Sequence, residues 1–166
     1  MAGQVKAVPQ GYHTLTSYLV VQDANRAIDF YKQAFGAQEL MRMAAPGGKI
    51  GHAELKIGDS MMMLSDEMPG GAGGRSPQSL GGSTASMFLY VDDVDATFNQ
   101  AVKAGAKADT PPADMFWGDR FGRLTDPFGH LWGIATHIED VVPQEMEKRM
   151  KAAMAQMSQS AGQKGG

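Results

Sequence analysis

The sequence repeats itself at a spacing of about 70 residues, and this repeat restricts the chain to folds built from two similar units. Val21 and Val91 are 70 residues apart, and Gly36 and Gly105 are 69 apart. In each copy a strand-like run leads into an Asp suited to cap a helix, and a Gly suits the end of that helix. A repeat of this length predicts two supersecondary units that share one core.

Each copy has the pattern of one strand, one helix and three further strands. The strand segments are β-branched or alternate in polarity, and the helix segments carry apolar residues at helical spacing. The predicted strands are Thr14–Val21, Gln38–Met43, Ile50–Ile57 and Ser60–Ser65 in the first copy, and Ser86–Val91, Lys107–Thr110, Arg120–Thr125 and Leu131–His137 in the second. The first helix follows Asp23, and the second spans Ala96–Ala104. We therefore predict an α+β fold in which two tandem βαβββ modules form a cupped mixed sheet, plus a C-terminal helix.

Glycine, proline and methionine mark the boundaries of these modules. The predicted divisions are a flexible arm (1–13), a first module (14–68), a Gly-rich linker (69–83), a second module (84–140) and a C-terminal helix with a frayed tail (141–166). In the last segment, methionines recur every three or four residues from Met146 to Met157. This spacing predicts an apolar stripe on a helix beginning at Pro143, which would cover the domain or a second subunit.

Composition excludes several classes of function. The net charge is −3, from 15 basic and 18 acidic residues, which argues against binding nucleic acid by phosphate neutralisation. No run approaches the ~20 apolar residues that a membrane helix needs. The absence of cysteine removes disulfides, thiolate zinc sites and cysteine nucleophiles. We expect a cytoplasmic protein that binds neither nucleic acid nor membrane.

Several short motifs, taken in order, resemble the vicinal oxygen chelate superfamily, which includes glyoxalase I, bleomycin-resistance proteins, fosfomycin-resistance enzymes and ring-cleaving dioxygenases. The motifs are Val21-Gln-Asp23, Phe30-Tyr-Lys-Gln-Ala-Phe-Gly36 and Asp126-Pro-Phe-Gly129. Two further segments, Gly51-His-Ala-Glu-Leu55 and Gly118-Asp-Arg120, are similar to the PhnB-like branch, as is the Asp126 motif continued to Trp132. The resemblance covers about residues 14–140.

The resemblance implies that the two modules close around a cavity. It also implies metal ligands, a His on the first strand of each module and a Glu on the last, in the metal-dependent members. The matching positions here are Thr16, Ser86 and Gly133. None of these residues supplies an imidazole or a carboxylate, so we predict no metal site of the usual kind.

The alternation of strand residues nominates the candidate site. If Ala53 and Leu55 face the covering helix, His52 and Glu54 face the cavity or solvent. These two are the candidate catalytic residues, acting as base and orienting carboxylate or as ligands of a displaced metal. A solvated or hydrogen-bonded structural pair is the alternative. The predicted ligand-binding residues are Thr16, Tyr18, Ser86, Phe88, Tyr90, Trp117, Arg120 and His137.

Two of these residues also allow structural interpretations. The planar guanidinium of Arg120 suits a carboxylate or phosphate on a ligand, but an internal ion pair with an Asp such as Asp126 would equally tie down its loop. Trp117 either caps the pocket or is buried against the neighbouring module.

Two functions therefore remain open. The first is a homodimer that binds a small organic molecule between its modules without a metal, as bleomycin-resistance proteins do. The alternative is a lyase, isomerase or dioxygenase-like enzyme that uses His52 and Glu54, with an atypical divalent metal or none. The loss of the three chelating residues favours the first function, and the polar pair on one strand face favours the second.

Overall fold

A computed structural model describes residues 5–162, with side chains described as far as residue 156. The chain forms eight strands and four helices within this range. The strands are β1 (Ser17–Val21), β2 (Gln38–Ala44), β3 (Ile50–Ile57), β4 (Ser60–Asp66), β5 (Ser86–Tyr90), β6 (Lys107–Asp114), β7 (Asp119–Thr125) and β8 (Leu131–His137). The helices are α1 (Ala24–Phe35), α2 (Pro77–Leu80), α3 (Val94–Ala104) and α4 (Pro143–Gly162).

The two copies of the repeat form two four-stranded mixed sheets. Their strand orders are β1-β4-β3-β2 and β5-β8-β7-β6, so the topology of the first sheet recurs in the second. The first strand of each module pairs in parallel with the last, and the other pairs are antiparallel. The α+β fold with two tandem βαβββ modules and a C-terminal helix is thus confirmed, although the strands form two separate sheets.

Three predicted boundaries differ from the observed ones by two or more residues, each for an identifiable reason. β1 begins at Ser17 instead of Thr14, because its pairing with β4 starts at Ser17. α3 begins at Val94, immediately after its Asp93 cap, instead of Ala96. β6 continues to Asp114 through two prolines, because it is an edge strand where a missing N–H is tolerated.

The same capping arrangement defines both module helices. Asp23 Oδ1 accepts a hydrogen bond from the Arg26 N–H at 3.0 Å, and Asp93 Oδ1 accepts one from Ala96 at 2.9 Å. Each helix ends at a glycine in the left-handed conformation, at positions 36 and 105. The repeat therefore reflects the same local start and stop signals used twice.

The helix-covered sides of the two sheets meet in one hydrophobic core. The α1 side chains Phe30 and Tyr31 contact Phe128 of the second module, with ring centroids 6.1 and 6.3 Å apart. Tyr31 also contacts Trp132 at 5.6 Å. We call the side of each sheet opposite its helix the open face, since it lies outside this core.

The segment between the modules is anchored by a buried serine. Ser76 is fully buried, and both its N–H and its hydroxyl donate to Glu67 Oε2, at 2.9 and 2.6 Å. These hydrogen bonds are the main reason that the pKa of Glu67 is lowered to about 2. The short helix α2 follows directly from this anchor.

The ends of the chain form no part of either sheet. Residues 5–13 of the predicted arm contain neither helix nor strand, and residues 1–4 lie outside the described range. α4 begins at Pro143 as predicted, and its backbone is helical to Gly162, so the predicted tail from residue 158 is helical in part and otherwise outside the description. Within the described residues, none of the helices combines the length and apolarity needed to cross a membrane.

Removal of the Tyr31 hydroxyl tests the link between the modules. Tyr31→Phe deletes a buried 2.7 Å hydrogen bond to Asp126 Oδ2, and bonds to charged groups contribute about 1.5–3 kcal/mol. We expect chemical denaturation to show a loss of about that size in the free energy of unfolding. Tyr18→Phe, which removes an exposed hydroxyl, should change it by about 0.5 kcal/mol or less. Equal losses in the two variants would contradict this role of Tyr31.

Candidate functional site

The open face of the first sheet carries a polar group that we call the His52 cluster: Tyr12, Tyr18, His52 and Glu54. Tyr18 Oη lies 3.2 Å from His52 Nδ1, and His52 Nε2 lies 3.4 Å from Glu54 Oε1. The His52 and Glu54 side chains are about a quarter exposed, at 24% and 23%. Both ring nitrogens of His52 therefore face a polar neighbour, which fixes the orientation of its ring.

Strand alternation places this pair on the open face. Ala53 and Leu55, on the other side of β3, are fully buried in the core. In the β2–β3 register Met43 lies opposite His52 and Met41 opposite Glu54. Both methionines are partly exposed, so apolar thioether side chains flank the polar pair.

Tyr12 joins the cluster from the N-terminal arm. Its hydroxyl is buried, and desolvation, followed by the neighbouring Glu54 carboxylate, raises the pKa of Tyr12 to about 12. Within the described part of the chain, this hydroxyl has no partner at hydrogen-bonding geometry. Tyr12 is thus a phenol held beside the Glu54 carboxylate.

The open face of the second sheet carries the Asp119 cluster: Phe88, Tyr90, Trp117, Asp119, Phe121 and His137. Asp119 is 4% exposed, and its carboxylate accepts hydrogen bonds from Tyr90 Oη at 3.1 Å and Trp117 Nε1 at 3.0 Å. Its other oxygen lies 2.8 Å from His137 Nδ1. One buried carboxylate therefore positions three side chains from β5, β8 and the loop before β7.

The rings of the Asp119 cluster form a continuous aromatic surface. Phe88 stacks on Phe121 with centroids 5.5 Å apart and planes 9° from parallel. Tyr90 lies 5.1 Å from Phe88, and Trp117 lies 5.9 Å from Phe121. Phe88 and Tyr90 are 52% and 61% exposed, so much of this surface is open to a ligand.

Gly133 is what allows the ring stack to close. A Cβ at this position would lie 2.8 Å from the Phe121 ring and 3.0 Å from the Phe88 ring. In the sheet register Gly133 pairs with Phe88 on one side and Arg123 on the other. The two rings therefore occupy the space that a side chain at 133 would need.

The structure places the predicted residues in two groups. Tyr18 belongs to the His52 cluster, and Phe88, Tyr90, Trp117 and His137 to the Asp119 cluster. Among the described residues no hydrogen bond or ring contact joins the two clusters. Thr16 precedes β1, and Ser86 begins β5 at one end of the aromatic surface. A groove of about 400 Å³ lies between the modules; Phe88 and Tyr90 line it, but Tyr18, His52 and Glu54 do not.

Arg120 is not brought to either cluster. It points to the helix side of β7, where Nε and Nη2 bind the two oxygens of Asp95 at 2.6 and 2.9 Å. Nη1 binds Asp114 at 2.9 Å. These bonds raise the pKa of the Arg120 guanidinium and lower that of Asp95. The ion pair allowed by the sequence therefore exists, but with Asp95 and Asp114 as partners.

Three members of the clusters were missed by sequence reasoning. The sequence predictions include Asp119 only within the Gly118-Asp-Arg120 motif and do not include Phe121. Both could have been found, because alternation along β7 places residues 119 and 121 on the face opposite Leu124. Tyr12 carries no comparable signal, since it lies in an arm without periodicity.

Comparison with known proteins agrees with this architecture of paired βαβββ modules and a candidate site on their open faces. A profile of the Glyoxalase/Bleomycin resistance protein/Dioxygenase superfamily matches residues 12–134. The chain belongs to this superfamily, as its motifs predicted.

Individual proteins are also similar to this chain over most of its length. An uncharacterized protein of Mycobacterium bovis is 45% identical over 140 residues, covering 83% of this chain and 92% of the relative. The crystal structure of TioX from Micromonospora sp. ML1 is 29% identical with a TM-score of 0.60, covering 76% of this chain and 99% of TioX. A PhnB protein from Bacillus cereus shares the fold at 17% identity and a TM-score of 0.59, covering 75% of this chain and 99% of that protein.

The residues at the superfamily's metal positions do not fit a divalent cation. Thr16 and Ser86 offer only neutral hydroxyl groups, and Gly133 offers no side chain. The rings over Gly133 also fill the space of the third ligand. Within the described residues, no three His, Asp or Glu side chains are grouped so as to hold a metal ion.

Asp119 should control the charge of His137. Hydrogen bonds that the His137 ring donates to Asp119 first, and then to Asp140, raise the pKa of His137. Asp119→Asn removes the carboxylate that makes the stronger of these hydrogen bonds, so the His137 pKa should fall toward its usual value, which NMR titration of the imidazole protons would measure. Asp140→Asn, at an exposed carboxylate, should lower the pKa less.

The sign of the effect on stability follows from the same shift. Because the folded pKa is raised, the ion pair contributes stability below the usual histidine pKa and loses it as pH rises through the folded value. An unchanged His137 pKa in Asp119→Asn, or a larger fall in Asp140→Asn, would contradict the assignment.

Proposed function

We propose that this protein binds a small organic molecule with an aromatic ring, on the open face of the second sheet and without the metal of its superfamily. The observation that carries the proposal is the stack of Phe88 on Phe121, half exposed and extended by Tyr90. Ligand sites combine such apolar surfaces with a few fixed polar groups. Here the buried Asp119 holds the polar groups of Tyr90, Trp117 and His137 in fixed positions.

In this proposal the His52 cluster supplies polar groups opposite the aromatic surface of the Asp119 cluster. Both open faces carry apolar side chains left exposed by their own chain, Met43 and Tyr18 on the first and Phe88 and Tyr90 on the second. A second copy of the chain would cover these faces and bring a His52 cluster opposite an Asp119 cluster. We therefore propose a homodimer with the ligand between modules. We also propose that it is located in the cytoplasm, because a chain without cysteine has no disulfides for that reducing compartment to break.

A thermal-shift screen of aromatic and aliphatic small molecules tests the proposal. A molecule bound only by the folded state raises its stability by RT ln(1 + [L]/Kd), about 2.7 kcal/mol at one hundred times Kd. We expect aromatic molecules to give the shifts, and Phe88→Ala to weaken their binding about tenfold or more.

The matched control for this screen is Val102→Ala, which truncates a partly exposed residue on α3 away from the open face. It should leave the shifts unchanged. A screen in which no aromatic molecule stabilises the protein, or in which Phe88→Ala behaves as Val102→Ala does, would refute aromatic binding at this surface.

A second candidate function is a lyase, isomerase or dioxygenase-like activity at the His52 cluster. The observation that favours it is the chain from Tyr18 through His52 to Glu54, an arrangement in which a carboxylate can orient a base. A displaced divalent metal on His52 and Glu54 belongs to the same alternative.

Metal analysis of purified, untagged protein separates the metal-free binding protein from the metal-dependent form of the second function. For the binding protein we expect no stoichiometric nickel, zinc or iron, since two side chains do not complete a metal shell. Stoichiometric metal that disappears in both His52→Ala and Glu54→Ala would overturn the metal-free proposal. Lys56→Ala, an exposed neighbour on the same strand, is the control.

A further inference from the structure

Arg123 lies on the open face of the second sheet, beside the aromatic stack. It is on β7, two residues beyond Phe121, and in the sheet register it pairs with Gly133 of β8. Gly133 in turn pairs with Phe88 of β5. Arg123, Gly133 and Phe88 therefore form one row across the sheet, with Phe121 stacked on Phe88 beside it.

This row forms part of a cavity of about 280 Å³. Its walls include Ser86, Phe88, Phe121, Arg123 and Gly133. The volume is close to the lower end of the range for small-molecule sites, about 300 Å³. It suits one ring with one substituent better than an extended ligand.

The guanidinium of Arg123 has no acidic partner in its own chain. Every other described arginine except Arg26 is ion-paired with a carboxylate, whereas none of the described carboxylates lies within 4.0 Å of Arg123. Asp109 also lines the cavity, but its Oδ2 accepts the Thr125 hydroxyl and its Oδ1 lies 3.4 Å from Lys107 Nζ. The charge of Asp109 is thus already compensated.

We infer that the molecule bound at this surface is an aromatic carboxylate, with its ring against Phe88 and Phe121 and its carboxylate on Arg123. The inference rests on the proposed aromatic binding and adds the charge of the ligand. A guanidinium presents two parallel N–H groups that match the two oxygens of a carboxylate. The Ser86 hydroxyl, on the same wall, can donate a further hydrogen bond.

The charge balance of the cavity favours a singly charged anion. Arg123 contributes a positive charge without an acidic partner within 4.0 Å, and the Asp109 carboxylate is engaged by the Thr125 hydroxyl and by Lys107, which lies outside the cavity lining. His137, a titratable base on the same face, already faces Asp119 and Asp140. A carboxylate neutralises the single free charge, whereas a cationic ring compound would be repelled by it.

Three probes with one ring system separate the charge of the ligand from its aromaticity. Isothermal titration of the full-length protein with benzoate, benzyl alcohol and benzylamine should give the tightest binding for the acid, at least tenfold over the amine. Arg123→Gln should abolish this preference and leave the alcohol unaffected. Arg26→Gln, at an exposed arginine on α1, should leave all three affinities unchanged.

The outcomes distinguish this inference from the function it rests on. Equal binding of acid and amine, weakened for both by Phe88→Ala, would overturn the carboxylate assignment and leave aromatic binding intact. A preference for the acid that survives Arg123→Gln would also overturn it. Binding of none of the probes at millimolar concentration would refute both. Arg123→Lys, which keeps the charge but loses the paired donors, should retain only part of the preference.

Discussion

The arrangement of the two modules depends on one buried carboxylate, Asp126, in the turn between β7 and β8. It is 4% exposed, and its oxygens accept hydrogen bonds from Tyr31 Oη, Trp132 Nε1 and the backbone N–H groups of Phe128 and His130, at 2.7–3.0 Å. Burial first, and then the carboxylate, raises the pKa of Tyr31 well above its usual value, so its hydroxyl remains a donor. A buried carboxylate is tolerated only when so fully paired, and here the pairing joins α1 of one module to the turn of the other.

The internal repeat extends to the hydrogen bonds that attach each helix to its sheet. Asp66 Oδ1, at the end of β4, accepts the first N–H of α1 from Ala24 at 3.1 Å. Seventy residues later, Thr136 Oγ1 on β8 accepts the first N–H of α3 from Val94 at 2.9 Å. The contact is kept although a carboxylate in one copy is a hydroxyl in the other. The two modules thus retain a common scaffold while their open faces have diverged, the first toward polar groups and the second toward aromatic rings.

The fold was accessible from the sequence because its signals are local. Capping residues, strand alternation and the repeat gave the element order, and β3 and β8 were predicted with the bounds observed. The full length of β6 was not predicted, because prolines, which end most strands, are tolerated in a strand at the edge of a sheet.

The candidate site was only partly accessible from the sequence. Alternation placed His52 and Phe88 on open faces, but it cannot tell which strand of another module, if any, lies opposite. For Arg120 the same alternation rule, applied to β7, indicates the helix side of the sheet. Arg120 was predicted to bind ligand because of its motif, against this alternation. Tyr12 reaches Glu54 through the path of an irregular arm, which no periodic pattern encodes.

The packing of the rings over Gly133 also limits which side chains this position can accept. A glutamate introduced there would collide with Phe121 and Phe88, so this substitution alone would disrupt the ring stack and gain no compensating bond. Thr16 and Ser86, where the resemblance places the imidazole ligands, would have to change as well. A metal site at this place would therefore require several simultaneous replacements, and the two rings over Gly133 oppose the replacement of that glycine.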